Sequence, residues 1–542
     1  MLERASLAGR KTCALPFLAL PFVAAVFAHC AFPQENTGFP RHFPITDPKN
    51  FTRVVAKVGD VDITAQEFLL SYEFGPAFTK RQKNSRERYL DFMINEKLLA
   101  LDAREHGLQL SVRVRRSLEE LEGDMATEEL YKDDVLNKVT LTKSEIAQGM
   151  REGQVHYALQ WLHVSGAEEA TGLKAALDRG TPFDTLFAHQ LRGGVKRDDR
   201  SMESTLFKLR RTSPVLASVA ETLRVGRYSA PVPGPDGYYI IRIADGRREM
   251  TLSATESQKL EEDTRRALTQ EKSDSLSDRY VRQMMLGRDP VIIRTTFDRL
   301  YAWLGEIWVK PERFAEWDIA ARFSRGGDSA GVYPIDRYGR DTLVALRGGC
   351  ILLKQFLSWY RVRDTYFRLH TTTQQAFFTS TEDLVWRMVR DRLLVERALR
   401  RNLQERDAVK KQLMWWEDKI LFGEEKIRLG GSIATDDSTC RAFYDANARE
   451  YRTDSGAVQP FEQVKDQVRK DYYTFELKKN MLHRIIALKR KHRVDVKHDV
   501  LMSLPVDIED NPKAIDVYVA KKGGTFPHPA FPVIDYEWQT WM

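Results

Sequence analysis

Two stretches of this 542-residue sequence hold side chains able to donate, accept or move a proton. The first, HYALQWLHV (His156–Val164), contains His156 and His163, with His189 further on. The second, GPDGYYIIRI (Gly234–Ile243), reads as a turn at Gly234, Pro235 and Gly237 followed by an apolar strand with Tyr239 inside it. An imidazole exchanges protons near neutrality, whereas a phenol, ionising near pH ~10, acts there only as a neutral hydrogen-bonding group. More specific constellations are absent: there is no G-x-S-x-G, no H-E-x-x-H and no paired Cys/His set. LEELE and YKDDV place their carboxylates on charged helices and read as solvated faces. SRGGDSAGVYPIDRYGRD is Gly-rich but holds neither GxGxxG nor GxxxxGK, so it reads as a loop rather than a phosphate cradle. No cofactor and no metal are expected.

The elements that must position these groups belong to a large, mixed-charge chain. With 42% hydrophobic and 30% charged residues the chain can bury several cores and stay soluble. The 84 basic and 77 acidic residues are interspersed, which excludes a dedicated nucleic-acid patch. The N-terminus has the pattern of a secretory signal over residues 1–34: Arg4, Arg10 and Lys11, then the apolar run CALPFLALPFVAAVFA, then a polar exit. An uncleaved signal, or a lipid on Cys30, would tether the chain to a membrane. His29 makes the residues before Cys30 a poor lipidation box. Cys350 and Cys440 imply no disulfide framework. Export without one fits a periplasm.

The chain repeats itself. VVAKVGDVDITAQEFLLSY from Val54 and LVALRGGCILLKQFLSWY from Leu343 both read strand, Gly turn, strand, helix start. Leu98, Leu99, Leu108 and Leu118 fall on Leu393, Leu394, Leu403 and Leu413, a constant offset of 295. Both copies continue as charged helices with apolar residues at three- and four-residue spacing. Thr142 and Thr435 are the expected N-caps of the next helix in each copy, with Glu145 completing a capping box. Both copies close on a long helix and a strand, SATESQKLEEDTRRAL… from Ser253 and PFEQVKDQVRKDYY… from Pro460. The first copy holds about 100 extra residues, 153–249, between its last two helices; the second holds about a dozen.

The insert reads as a strand, three helices and two strands, with Ser213 and Pro214 opening the third helix. That order, with LRVGRYSAPV before DGYYIIRI, resembles the parvulin-type peptidyl-prolyl isomerase domain. The flanking VAKVGDVDIT and the helices after it resemble the chaperone region of the SurA/PrsA-type periplasmic folding factors. The resemblance covers residues 54–294; the second copy resembles the chaperone region only. It implies two histidines beneath a bound peptidyl-proline. Here Gln160 stands at the first position and Tyr239 at the second. His163, three residues on, is the fallback candidate, and an odd shift along a strand turns it to the other face, so it reads as structural or surface. Where the family has Met, Phe and Phe around its third helix, this chain has Thr212, Leu216 and Glu221. A carboxylate at the mouth of a proline pocket carries a desolvation cost. The family's Gly-Gly-Asp-Leu-Gly run is missing, and RSMESTLFKL stands there as part of an irregular charged stretch.

The expected fold is α+β: mainly helical chaperone modules in tandem with one parvulin-like domain inserted in the first. The expected divisions are a signal at 1–34, a first module at 51–152 and 250–297, and a parvulin-like domain at 153–249. An aromatic and Gly-rich bridge at 298–342, a second module at 343–500 and a tail at 501–542 complete the chain. Trp303, Trp308 and Trp317 offer either a client-binding groove or core packing. The tail either straps onto the body or stays free. The expected function is an ATP-independent periplasmic chaperone that binds unfolded or nascent exported or outer-membrane polypeptides. An active prolyl isomerase and a dedicated scaffold for one envelope partner are the alternatives.

Overall fold

The computed structural model describes residues 52–541, apart from 193, 235, 251, 325–334, 362, 365–366, 454–455, 507–508, 510 and 515–530. The signal-type segment with Cys30, part of the Gly-rich bridge and part of the tail therefore lie outside the described residues. The chain opens with β1 (Val54–Val58), β2 (Val61–Thr64), α1 (Ala65–Glu73), α2 (Ala77–Lys80), α3 (Ser85–Glu105) and α4 (Val112–Asp134). It continues with α5 (Lys143–Gly153), β3 (Val155–Val164), α6 (Ala167–Asp178), α7 (Phe183–Arg192) and β4 (Ser201–Thr205). Then come α8 (Leu206–Thr212), α9 (Pro214–Thr222), β5 (Val232–Gly234), β6 (Gly237–Arg248) and α10 (Ala254–Arg288). The rest is β7 (Val291–Ile292), α11 (Arg294–Trp308), α12 (Pro311–Glu316), α13 (Ile319–Ser324), β8 (Thr342–Leu346), β9 (Gly349–Leu352) and α14 (Leu353–Arg361). It closes with α15 (Gln374–Arg400), α16 (Asp407–Gly430), α17 (Asp437–Asn447), α18 (Phe461–Lys491), β10 (Val494–Val496) and α19 (His498–Ser503). The class is α+β and mainly helical. Among the described residues no helix is long and apolar enough to cross a membrane.

The chain divides into two compact units, one of them Lys138–Asp278 and the other built from the residues up to Asn137 and from Arg279. In the larger unit the same local devices occur twice. Gly59 and Gly348 adopt positive φ in the turns between β1 and β2 and between β8 and β9. Gly107 and Asn402 adopt the left-handed conformation after α3 and α15, each followed by a 3-10 turn and the next helix. The strands, however, are exchanged. β10 pairs antiparallel with β1, in register Ala56 to Val496, so that the first hairpin is completed by the last strand. β7 pairs with β8, Val291 against Ala345, and completes the second hairpin.

Helix crossings hold those strands in place. α16 lies on α3, where Lys97 is buried between Glu67 and Asp418, 2.6 Å from each. Burial pulls the Lys97 ammonium down, but the two carboxylates outweigh it and hold it above its usual value. α15 lies on α4, and Gly123 admits the contact: a Cβ there would sit 2.9 Å from Val395. One core gathers Phe68, Tyr72, Leu98, Phe422 and Ile485, and a second gathers Phe297, Tyr301, Phe356, Trp359 and Met388. The cap of α17 is Asp436, which accepts from the Thr439 N–H, and not Thr435 as expected. The donor three residues on falls to Asp436, whose carboxylate also suits the helix N-terminus.

The described part of the tail is a strap. Phe531 packs on Phe74, and Trp538 is sandwiched between Phe92 and Phe422 at 5.1 and 6.2 Å. The Trp538 indole donates to Glu96 Oε1 at 2.8 Å, and Lys426 reaches Asp535 at 2.9 Å. Trp538 is 1% exposed. Trp538→Ala is expected to lower the unfolding free energy of the chain by about 3–5 kcal/mol, read by denaturant unfolding. Met502→Ala, at a half-exposed position, should change it by less than about 0.5 kcal/mol.

Candidate functional site

The smaller unit carries a four-stranded antiparallel sheet in the order β4-β3-β6-β5. β3 and β6 are the two inner strands, and side chains alternate across the two faces of the sheet. Leu159, Trp161, Tyr239, Ile241 and Ile243 pack with Leu206, Leu209, Ala217 and Ala220 of α8 and α9. Leu162 and Ile240 pack on the other face with Leu177, Phe183 and Phe187 of α6 and α7. Ser213 caps α9 with Pro214 in its first turn, as expected. The stretch read as irregular instead folds as β4 and α8, with Thr205 capping α8 by accepting from the Lys208 N–H. The outer strand satisfies the β3 edge from His156 to Gln160. Past its end the Gln190 amide takes over, accepting from the His163 N–H at 3.1 Å and donating to the His163 carbonyl at 2.9 Å. α5 and α10 meet where Gly149 and Gly153 leave room for Thr264 and Leu260. Thr142 and Glu145 form the capping box of α5. The Lys272 ammonium, with that cap, holds the Glu145 carboxyl down to about 2.

The register corrects the expected pairing. Gln160 pairs with Arg242 and His163 pairs with Tyr239. Gln160 and Tyr239 thus lie on opposite faces of the sheet, by the same alternation that was expected to remove His163. Gln160 accepts from the Arg242 guanidinium instead. His163 and Tyr239 are cross-strand neighbours with ring centroids 4.8 Å apart. The hairpin glycines permit this. A Cβ on Gly234 would lie 2.4 Å from the Tyr239 ring, and one on Gly237 would lie 2.2 Å from the Val164 carbonyl and 3.0 Å from His163 Nε2. Gly237 also holds φ +145.

Two further residues complete the cluster. His163 Nε2 sits 3.1 Å from the Asp236 carbonyl oxygen, a contact that an Nε2–H satisfies. Nδ1 faces the Arg200 guanidinium at 3.5 Å. The Tyr239 hydroxyl donates to the Asp236 carboxylate at 2.5 Å. Burial first, then that hydrogen bond and charge, push the phenol up to about 12. Asp236 was visible in the sequence only as a turn residue, and Arg200 only as part of a charged stretch. His156 stands near the far end of β3, 3.4 Å from Glu249, and His189 is exposed on α7.

The residues expected to line a proline pocket do not converge on this cluster. Thr212 is exposed at the end of α8, where its hydroxyl donates to the Lys208 carbonyl. Leu216 packs inward on α9. Glu221 is not at the mouth of an apolar pocket. It pairs with Arg210, which also meets Glu152 at 3.0 Å, in a charged cleft between α5, α8, α9 and α10. Its charge is felt by Tyr157, six residues from His163 along β3 and thus roughly 20 Å away. In the larger unit Trp303, Trp308 and Trp317 are half-buried against the second core. Trp308 donates to the Tyr360 hydroxyl at 2.7 Å, Trp303 packs edge-on to that ring, and Trp317 lies against Phe377.

No family model matches the sequence, and no curated protein matches it. Solved structures similar to the chain include PrsA proteins. The peptidylprolyl isomerase PrsA of Bacillus anthracis is 17% identical, with 36% of this chain and 96% of that one covered and a TM-score of 0.22. The peptidylprolyl isomerase PrsA of Bacillus cereus is 19% identical, with 41% and 89% covered and a TM-score of 0.24. PrsA of Bacillus subtilis is 17% identical, with 43% and 92% covered and a TM-score of 0.15. Likenesses of this size carry no inference about fold or activity, and the site is read from its own geometry.

The Tyr239 phenol is raised above its ordinary value of ~10, so its contribution to stability is complete below pH ~10 and is lost as pH rises through about 12. A difference absorbance titration between the native chain and Tyr239→Phe should show one tyrosine ionising near that upper value. Asp236→Asn should bring it back toward ~10; an unmoved titration would remove Asp236 as a cause.

Proposed function

We propose that the chain is an ATP-independent chaperone of exported polypeptides whose smaller unit binds peptide segments without isomerising them. The observation that carries this reading is the partner of His163: a neutral phenol committed to Asp236, in place of a second imidazole. Rotation about an X–Pro bond faces a barrier of about 18–20 kcal/mol. Lowering it takes polar groups free to meet the twisted amide, and here the hydroxyl is already spent on the turn. On this reading residues 153–249 are a parvulin-like domain set in a helical chaperone module at 51–152 and 250–297. Residues 343–500 are a second module without that domain. Clients are unfolded exported or outer-membrane chains, met in a periplasm after export. The half-buried tryptophans beside Tyr360 and Phe377 are the apolar surface proposed to meet them in the larger unit.

A second reading, active isomerisation, has one observation in its favour: His163 shares a face with Tyr239. A protease-coupled proline-peptide assay on the full chain separates the two. The expected result is no rate above the uncatalysed one, together with suppression of client aggregation that needs no nucleotide. Turnover by the native chain that disappears in His163→Ala would establish the isomerase instead.

A further inference from the structure

The doubled element order raises a question of partner choice: each hairpin takes a strand, and each helix pair a neighbour, from the other repeat rather than its own. Ion pairs between the repeats are sorted by sign along two seams. On α4, Glu129 and Asp133 meet Arg406 at 2.6 and 2.7 Å, and Asp133 and Asp134 meet Arg401 at 2.9 and 2.8 Å. On α3, Asp102 meets Arg484, Asp91 meets Lys489 at 2.8 Å, and Glu105 meets Lys491 at 2.5 Å. Along both seams the leading repeat supplies the carboxylates and the trailing repeat the bases. At the α3–α16 crossing the signs are mixed: Lys97 and Arg104 meet Asp418, while Glu96 meets Lys419 at 2.8 Å. Arg113 meets Glu424 in the same sense as Lys97.

The offset of 295 that carries Leu98 onto Leu393 also carries Asp102 onto Arg397, Glu105 onto Arg400 and Asp133 onto Arg428. The charge is inverted at all three, while Glu129 falls on Glu424 and keeps its sign. A second trailing repeat in the place of the leading one would set Arg484 and Lys491 against Arg397 and Arg400, and Arg401 and Arg406 against Arg428. Like charges brought together at an interface suppress the wrong partner. A second leading repeat in the place of the trailing one would put His106 and Ser111 where Arg401 and Arg406 stand. Glu129, Asp133 and Asp134 would then face no guanidinium from that side.

We propose that the α3–α4 surface is a docking face specific for the trailing repeat, chosen by charge sign, and that the chain is a tethered heterotypic pair in which neither repeat accepts a copy of itself. The exchanged strands then close an association that the helices have selected. The test uses the full chain with a protease site between residues 324 and 335, cleaved after folding. The two fragments should stay associated one to one and dissociate more readily as salt rises, since half-exposed pairs are screened. Arg401→Glu with Arg406→Glu should weaken association by at least about tenfold. Adding Glu129→Arg with Asp133→Arg should bring it back to within about threefold of the native pair. A four-fold variant no tighter than the two-fold one would overturn the proposal. A second measurement does not depend on variants. Native mass spectrometry of the cleaved chain, held in urea at the dissociation midpoint and returned to buffer, should find only unlike pairs. Trailing fragments paired with each other would overturn it equally.

Discussion

Neither hairpin of the larger unit finishes its own sheet, and much of that unit's architecture follows from this. A two-stranded ribbon is marginal in water and gains from a third strand and a packed face. β7 spans two residues and β10 three, too few to find or hold a partner by ladder hydrogen bonds alone. Their positions come from the helices that precede them. α18 is laid along α3 by the Arg484, Lys489 and Lys491 pairs and by Leu477, Met481, Ile485 and Leu488 in the first core. The sheet is thus a consequence of helix docking, and Lys97 marks where that docking is least forgiving. Removing either of its carboxylates would leave a buried charge half-compensated. The strap adds a third participant through Trp538 and Glu96, so the last residues of the chain fasten a core that its first hairpin begins.

In the smaller unit the controlling constraint is strand register. A period of two means that one residue decides which face a side chain joins. β3 and β6 slip by one between Ala158 and Leu159. Counted from the Val155–Arg248 end without that bulge, Tyr239 would stand opposite Val164 and away from any histidine. With it, Tyr239 meets His163. The outer strand covers only part of β3, and Gln190 fills the gap as a substitute for missing backbone, which fixes the His163 backbone where the sheet runs out.

Much of the local structure was legible in the residues. The turn glycines, the caps at Thr142 and Ser213 and the helical stretches are signals contained within a few positions. The same locality explains the misses. β4 and α8 arise from SMEST and LFKLRRT, short and polar enough to look irregular until β3 supplies a ladder and the sheet a face to cover. Register across a bulge is not a local property, so the sequence does not show that Tyr239 faces His163 and not Gln160. Strand exchange is still less local: nothing in VDV or VI names its partner, about 440 and about 54 residues away respectively, and only the helices decide it. Arg200 and Asp236 were unremarkable in the sequence because each is a common surface or turn residue until the hairpin brings both to one imidazole.

The hairpin that holds Tyr239 seats two rings side by side, an imidazole and a phenol. Gly234 is required by the Tyr239 ring that leans on it, and Gly237 by the Val164 carbonyl beside His163, so the turn leaves room for both side chains. A phenol fills that room as well as an imidazole. It differs in what it offers an amide: a neutral group over the working pH range, with its single proton directed at Asp236. His163 has its Nε2–H turned to the Asp236 carbonyl and Arg200 beside its other nitrogen. The phenol and Nε2–H therefore point into the turn, where they hold the hairpin, and Nδ1 faces Arg200. A site whose hydrogen bonds are satisfied internally presents mainly ring faces and backbone; under the proposed function those would meet an extended apolar segment without favouring its twisted form. That is the physical difference between holding a peptide and turning one.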